Sequence, residues 1–370
     1  MRRLTGYIDA LMADPTPRSP VSPATFLAAL SGVYGGAMVL RADLYRRGIL
    51  HRRRLPCRVV SVGNLSVGGT GKTPMAMDLA ARLRARGWPV CVLSRGYRGT
   101  AERTGAVVSD GRRVLVSAKV AGDEPWLMAR RMPGIPVIVG RDRYASGMKA
   151  VNRFGARVVV LDDGFQHLHL DRDLNLLLLD ARKPLANGYL LPRGRLREPF
   201  TQARRANAWV RIHRSIGAET EPLPGSARPL LDATLRPFLA LETGPGGTSV
   251  PHGAPSSFFN RRRVVAFSGI AGNDAFFDTL AAAGATLVGR LGFADHHPYR
   301  SADLERIFTA ARQTEADCLA TTAKDYARLE ALTWPLPLAV MDLAVAWNDG
   351  GTMIEGLLEG CMAGSGNQGS

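Results

Sequence analysis

The chain has 370 residues, of which 46% are hydrophobic and 22% are charged. This composition excludes an intrinsically disordered protein, the length is typical of about two domains, and the lack of an internal repeat excludes a solenoid. The formal net charge of +16 favours an anionic partner: nucleic acid, a phosphorylated metabolite or an anionic membrane surface. The four cysteines are scattered without a CxxC pair, so neither a zinc site nor a disulfide framework is predicted, and a reducing cytosol fits best.

The first predicted element is an apolar helix near the N-terminus. Residues 24–40 are uncharged and largely apolar, at the lower limit of the roughly 17 to 25 residues that cross a bilayer. A cluster of arginines follows the run, whereas a signal peptide carries its positive charge before it. We therefore expect a retained helix in or on a membrane, with its basic flank on the cytoplasmic side. A soluble helix buried against the protein is the alternative.

The next segments predict a nucleotide-type α/β domain. Residues 57–62 indicate a buried strand and residues 73–86 a helix that ends at Gly87. Further apolar runs alternate with helical or loop stretches at 90–93, 137–139, 158–161 and 174–179. This alternation is typical of a P-loop NTPase-type, mostly parallel sheet covered on both faces.

A glycine-rich loop between the first strand and helix reads GNLSVGGTGKTP and predicts phosphate binding. Its backbone amides and the helix N-terminus would donate to phosphate oxygens, Lys72 would contact the β and γ phosphates, and the Thr73 hydroxyl would ligate magnesium. The predicted nucleotide-binding residues are Ser66, Val67, Gly68, Gly69, Thr70, Gly71, Lys72 and Thr73. The usual first glycine of the motif is replaced by Ser66, so a glycine-rich turn without a ligand is the alternative.

Acidic residues follow two other predicted elements. Asp162 and Asp163 end an apolar strand, the layout of a Walker B element that brings a carboxylate to magnesium, although a strand followed by a solvated turn has the same pattern. Asp123 and Glu124 stand where a helix begins and fit helix-capping acids equally well. His296 lies beside an acid, as in a general-base dyad or in a surface turn. Each of these motifs is ambiguous alone.

The second half predicts a smaller α/β domain. Residues 215–263 shift to Pro, Gly, Ser and Thr, which is typical of loops or a flexible insertion rather than core. A second βα pattern then runs through 263–270, 274–283, 285–291, 302–314 and 317–322. The last residues, AGSGNQGS, are typical of a disordered tail.

Eight motifs in order identify a family resemblance. They are GNLSVGGTGKTP, SRGYRG, GDEP, GRDR, LDDGFQH, LPRGRLREP, FADHHPY and TTAKD. With the N-terminal apolar helix they resemble the tetraacyldisaccharide 4'-kinases over about residues 20 to 350. The resemblance implies transfer of the ATP γ-phosphate, with Mg2+, to the 4' hydroxyl of tetraacyldisaccharide 1-phosphate, which gives lipid IVA in the lipid A (lipopolysaccharide) pathway.

The resemblance also implies roles for individual side chains. Asp123 is the catalytic base for the sugar hydroxyl, His296 is its partner, and Lys72 serves ATP. The metal ion lies at or near Thr73, Glu124, Asp162 and Asp163. The substrate phosphate or the reacting groups lie near Gln166, His167, Arg143, Arg195 and Arg197. This sequence departs from the common form LPAGPLREP by carrying Arg193 and Arg195, so the acting arginine of that loop stays open.

The implied organisation places membrane contact in residues 1–55. A P-loop kinase domain covers 56–175 and is completed by 322–360, a second α/β domain covers 176–321, and a tail covers 361–370. The implied partners are the lipid A disaccharide precursor and the cytoplasmic face of the bacterial inner membrane, with no nucleic acid and no obligate protein partner.

Two other functions stay open on the residues alone. A regulatory or metal-delivery P-loop NTPase would use the same loop but would not need the GDEP and DHH motifs. A nucleic-acid binder would explain the charge, but no recognisable nucleic-acid module is present and aromatic residues make up only 7% of the chain.

Overall fold

The computed structural model describes residues 22–214, 220–223, 225, 228–244, 247–249, 255–329 and 332–363. The strands are β1 (Arg58–Asn64), β2 (Val90–Ser94), β3 (Ala106–Ser109), β4 (Val137–Val139), β5 (Val158–Leu161), β6 (Leu174–Asp180), β7 (Ala208–His213), β8 (Leu230–Gly244), β9 (Gly247–Ser249), β10 (Arg263–Ser268), β11 (Thr286–Gly292), β12 (Cys318–Thr322) and β13 (Leu338–Trp347). The α-helices are α1 (Pro23–Arg46), α2 (Lys72–Ala85), α3 (Ala118–Ala121), α4 (Asp123–Arg131), α5 (Arg143–Phe154), α6 (Pro255–Phe259), α7 (Asn273–Ala282), α8 (Ser301–Gln313), α9 (Ala323–Tyr326) and α10 (Thr352–Ala363).

The strands of the described residues form one sheet. Its order is β11-β10-β12-β13-β8-β7-β6-β1-β5-β2-β4-β3, with β9 paired to β8. The antiparallel pairs are β3 with β4, β8 with β13 and β8 with β9, and the other neighbours are parallel. The predicted α/β fold with a mostly parallel sheet is therefore confirmed.

The central strands are buried on both faces, which is why they are continuous apolar runs. Alternate residues of β1 point to opposite faces. Val60 and Val62 share one buried cluster with Met75 of α2, whereas Val59 shares another with Ala150 of α5. Complete burial of each such aliphatic side chain is worth about 1.5–3 kcal/mol. This core fixes the carboxyl ends of β1, β2 and β5, where the loops of the site begin.

The prediction of loops or a flexible insertion at 215–263 is wrong for residues 230–244, which form β8. Leu230–Gly244 is a 15-residue strand at the middle of the sheet, and Leu231, Ala233, Leu235 and Leu239 are buried. The composition of the whole window hides this strand, because the apolar run LLDATLRPFLAL is flanked by glycine- and proline-rich segments. Much of the GPGGTSVPHGAPSS segment lies outside the described residues, as do residues 364–370 of the predicted tail.

The two halves of the chain share this sheet, and the domain boundaries stay a prediction. β6 pairs with β1 on one side and with β7 on the other, so the sheet continues across residue 176. The C-terminal segment does return to the first half: Trp347 Nε1 donates to Asp78 Oδ2 at 2.8 Å, and Glu355 of α10 pairs with Arg82 of α2.

Helix α1 begins at Pro23, and the Ser22 hydroxyl accepts the N–H of Thr25 at 3.3 Å as an N-cap. Its small buried residues Ser31 and Gly35 face the protein. Phe26, Leu30, Val33 and Leu40 are exposed at a helical spacing. Among the described residues, α1 alone is long and apolar enough to cross a membrane, with a mean hydropathy of 1.4 and 17% of that window buried.

Candidate active site

The glycine-rich loop joins the end of β1 to the start of α2. Gly68 and Gly71 have φ of 129° and 81°, a region that favours glycine. Asn64 Nδ2 donates to Thr70 Oγ1 at 2.8 Å, and Lys72 Nζ donates to Asn64 Oδ1 at 3.3 Å and to the Gly68 carbonyl at 3.2 Å. No side chain caps the N-terminus of α2, so its first amides are directed into the loop. The loop has the shape of a phosphate cradle.

The two acids after β5 have different surroundings. Asp162 is buried, and desolvation, with Glu124 and Asp163 nearby, raises its pKa to about 7. Burial alone would raise the pKa of Asp163, but Lys72 and Arg197 hold it below the usual value. Arg197 Nη1 donates to Asp163 at 2.9 Å and Lys72 Nζ lies 3.8 Å away. Asp163 also has a φ of 53°, a backbone conformation that costs about 1–3 kcal/mol in a residue other than glycine.

Burial also affects Lys72, whose pKa is lowered by desolvation while Asp163 opposes that shift. A lysine held among carboxylates in this way stays available as a compact charge for phosphate oxygens. Lys72, Asp163 and Arg197 therefore form one charge cluster beside the glycine-rich loop.

Asp123 and Glu124 begin helix α4 on the other side of the site. Gly122 turns the chain there with a φ of 90°, and a Cβ on it would lie 2.8 Å from the Tyr97 carbonyl. The carboxylate of Asp123 accepts from His296 Nδ1 at 3.0 Å when that nitrogen is protonated. His296 has a φ of 58°, so its backbone is strained as that of Asp163 is.

Glu124 pairs with Lys324 of α9. Burial would raise the pKa of Glu124, but Lys324 holds it below its usual value. The pair joins α4 to the C-terminal part of the chain next to the Asp123–His296 contact. This ion pair therefore holds Lys324 at the start of α4.

The predicted magnesium ligands Thr73, Glu124, Asp162 and Asp163 fit the ion by chemistry. All four offer oxygen atoms, which Mg2+ prefers. The buried Asp162 Oδ1 has no hydrogen-bond partner in the described part of the chain. The described ranges hold no cluster of three or more His, Cys, Asp or Glu side chains that could hold a metal ion. Because Mg2+ usually keeps several waters and takes one or two protein carboxylates together with substrate phosphates, the four ligands stay a prediction.

The other predicted side chains lie in three environments. Gln166 is at the charge cluster, since its Nε2 donates to the Asn64 carbonyl at 2.8 Å and its Oε1 accepts from Arg197 at 3.4 Å. His167 is half-buried, and desolvation lowers its pKa to about 4, so it is neutral at pH 7. Arg143 is buried beneath the acids, where desolvation lowers its pKa to about 10, and it donates to the Gly140 carbonyl at 2.7 Å.

The three arginines of the 193–197 loop lie in different surroundings. Arg197 reaches Asp163, as described above. Arg195 is exposed, and only its carbonyl contacts the glycine-rich loop, accepting from the Val67 N–H at 2.7 Å. Arg193 is buried, with its guanidinium 4.8 Å from the centre of the Tyr189 ring. By position, Arg197 is the arginine of this loop that lies in the site.

Asn64 and Ser94 are not among the predicted site residues. Asn64 supports Lys72 and Thr70, and the Ser94 hydroxyl lies 3.4 Å from Asp162 Oδ2. Both residues end strands that enter the site, which is the signal in the sequence that would have identified them.

The chain matches one protein family over most of its length. The family model described as Tetraacyldisaccharide-1-P 4'-kinase matches residues 23–358. A tetraacyldisaccharide 4'-kinase of Desulfatibacillum aliphaticivorans is 45% identical over 306 residues, covering 82% of this chain and 83% of the relative. One of Geobacter metallireducens is 46% identical over 303 residues, covering 82% and 88%.

A solved structure is similar over nearly the whole chain. It is a crystal structure of LpxK from Aquifex aeolicus in complex with ATP, 31% identical, with a TM-score of 0.75, and the match covers 92% of this chain and 99% of the other. The family model matches most of the chain, and the relatives are 45% and 46% identical over 82% of it, so the family is shown. The chain belongs to the tetraacyldisaccharide-1-P 4'-kinase family.

Proposed function

We propose that this protein is the ATP-dependent kinase that phosphorylates the 4' hydroxyl of tetraacyldisaccharide 1-phosphate and gives lipid IVA and ADP. The observation that carries the proposal is the Asp123–His296 contact at 3.0 Å, in a chain of this family. A protein that only hydrolyses a nucleotide needs no such base for an organic hydroxyl. Lipid A biosynthesis is the pathway this product serves.

The phosphate loop and Lys72 bind the phosphates of ATP in this account. Thr73, Asp162, Asp163 and Glu124 are the residues that would hold Mg2+. Bound magnesium would neutralise the negative charge on the β and γ phosphate oxygens. Arg197, held by Asp163, faces the same region and contributes positive charge to the γ-phosphate or to the phosphate of the substrate.

Asp123 takes the proton of the 4' hydroxyl as the hydroxyl oxygen forms its bond to the γ phosphorus. The bond from that phosphorus to the β–γ bridging oxygen breaks, and ADP leaves with the electron pair. His296 orients the carboxylate through its Nδ1. Little covalent chemistry is asked of the protein, because phosphoryl transfer depends on positioning and charge stabilisation.

The exposed apolar face of α1 is proposed to lie on the cytoplasmic face of the bacterial inner membrane. The same helix touches the site, since the Tyr34 hydroxyl donates to the Arg197 carbonyl at 2.8 Å and the Ser31 hydroxyl to the Leu190 carbonyl at 2.8 Å. A lipid acceptor could therefore keep its acyl chains in the bilayer while its sugar reaches the site.

The test is transfer of labelled γ-phosphate from ATP to a detergent-dispersed tetraacyldisaccharide 1-phosphate. We expect a lipid product labelled at the 4' position and its loss in Lys72→Ala and Asp123→Ala. A folded protein that releases labelled inorganic phosphate but makes no labelled lipid would contradict the proposal and favour a P-loop NTPase of another kind.

A further inference from the structure

Arg328 lies just after α9, and its side chain is only 14% exposed. It makes three polar contacts. Its Nη1 donates to the His297 carbonyl at 2.6 Å, its Nη2 donates to Asp325 Oδ1 at 3.1 Å, and its Nε lies 3.2 Å from Asp123 Oδ2. One guanidinium therefore touches both the carboxylate of Asp123 and the backbone of the residue that follows His296.

Asp325 fixes this arginine from the side away from the site. It is completely buried. Its carboxylate accepts from the Gly269 N–H at 3.0 Å, the Thr322 hydroxyl at 2.6 Å and the Tyr299 hydroxyl at 3.0 Å, in addition to Arg328. A buried carboxylate with this many donors is held in one position. Arg328 is therefore attached to the rigid core of the second half of the chain.

The described contacts of the Asp123 carboxylate are made by one of its two oxygens. Both His296 Nδ1 and Arg328 Nε approach Oδ2. Within the described residues no hydrogen bond to Oδ1 is found, so Oδ1 is the oxygen left to accept from a substrate hydroxyl. The Nε of Arg328 is buried and its N–H makes no hydrogen bond within the described ranges, so its contact with Asp123 is electrostatic and not yet aligned. Catalytic hydrogen bonds are often loose before substrate binds and tighten in the reacting complex.

We propose that Arg328 is a positioning residue for the Asp123–His296 dyad. It holds Asp123 of the first half of the chain and His296 of the second half in fixed relative positions, so that Asp123 Oδ1 meets the acceptor hydroxyl. The inference rests on the proposed roles of Asp123 and His296. Arg328 acts through these two residues and not on the substrate itself. A purely structural tie would make the same contacts without affecting the chemical step, so kinetics distinguish the two.

The experiment compares Arg328→Met and Arg328→Lys with a matched control, Arg131→Met. Arg131 lies on α4, as Asp123 does, and ties that helix to the second half of the chain through Asp342 rather than through the dyad. For each variant we would measure kcat, the KM values for ATP and lipid, and the melting temperature. Asp123→Ala is assayed in parallel.

We expect Arg328→Met to lower kcat by about 10² and to leave the KM for ATP within about threefold, because a misplacement of about 1 Å at a reacting group has an effect of that size. Arg328→Lys keeps the charge and recovers part of kcat, whereas Arg131→Met lowers the melting temperature without a comparable loss of kcat. If Arg328→Met does not fold, Asp325→Asn replaces it, because it weakens the contact that holds Arg328, and the same fall in kcat at unchanged KM for ATP is expected.

A kcat within about twofold of the wild type in folded Arg328→Met, or equal losses of kcat in Arg328→Met and Arg131→Met, would overturn this inference. Retained transfer in Asp123→Ala would overturn the proposed role of Asp123, whereas a wild-type protein that makes no labelled lipid would overturn the proposed function. The two failures are therefore distinguishable in one set of assays.

Discussion

The nucleotide side and the acceptor side of the site are assembled over different distances along the chain. Asn64 contacts Thr70 and Lys72, six and eight residues later. On the acceptor side, His296 reaches Asp123 across 173 positions, and Lys324 reaches Glu124 across 200. Local chain geometry fixes the glycine-rich loop of the first side, whereas the second side requires the two halves of the sheet to be correctly placed. Changes in the second half should therefore disable transfer while ATP binding survives.

Among the changes at Lys72, at the arginine loop and at α1, the largest effect is expected at Lys72 on the nucleotide side. Lys72→Ala removes the charge that contacts the phosphates, and we expect kcat/KM for ATP to fall about 10³-fold, the upper range for one positioned donor. Steady-state kinetics with varied ATP measure it. Lys149→Ala, on α5 outside the charge cluster, is the control. A fall in kcat/KM for ATP of less than about tenfold in Lys72→Ala would show that Lys72 does not have the proposed role.

The arginine loop gives the next largest effect. Arg197→Ala should lower kcat about 10²-fold, because it removes the positive charge paired with Asp163 and aimed at the phosphates. Arg195→Ala is the matched control from the same loop, and its kcat should stay within about twofold of the wild type, since its side chain is exposed. If Arg195→Ala were the more damaging change, the assignment of the loop's acting arginine would be reversed.

The smallest effect is expected at α1, the helix proposed to contact the membrane. Val33 is 74% exposed on α1, and Val33→Glu should weaken partition onto anionic lipid vesicles by about tenfold, because a charge enters the apolar face. ATP binding should be unchanged. Leu115→Glu, at an exposed apolar residue outside α1, controls for added negative charge. Equal vesicle binding by Val33→Glu and the wild type would contradict the proposal that α1 contacts the membrane.

Much of the nucleotide side was predictable because its signals are local. A strand, a glycine loop and a helix follow one another in the sequence, and the acids after β5 end a strand of the same sheet. The acceptor side was predictable only through family resemblance, since nothing in the spacing of Asp123 and His296 brings them together.

Two features escaped prediction for physical reasons. β8 was hidden because a 15-residue strand lies within a segment whose average composition is that of loops. The three arginines of the 193–197 loop differ only in burial and direction, and those properties depend on packing against α1 and the phosphate loop. Neither property is encoded in local spacing.

The most direct measurement of the central claim pairs ATP affinity with phosphoryl transfer in Asp123→Ala. The account predicts that the variant binds ATP within about threefold of the wild-type Kd while labelled lipid product falls by about 10⁴, the upper limit for loss of a general base. Transfer within about tenfold of the wild type at that ATP affinity would contradict it. So would a parallel loss of ATP binding and transfer, because the two sides of the site would then not be separable.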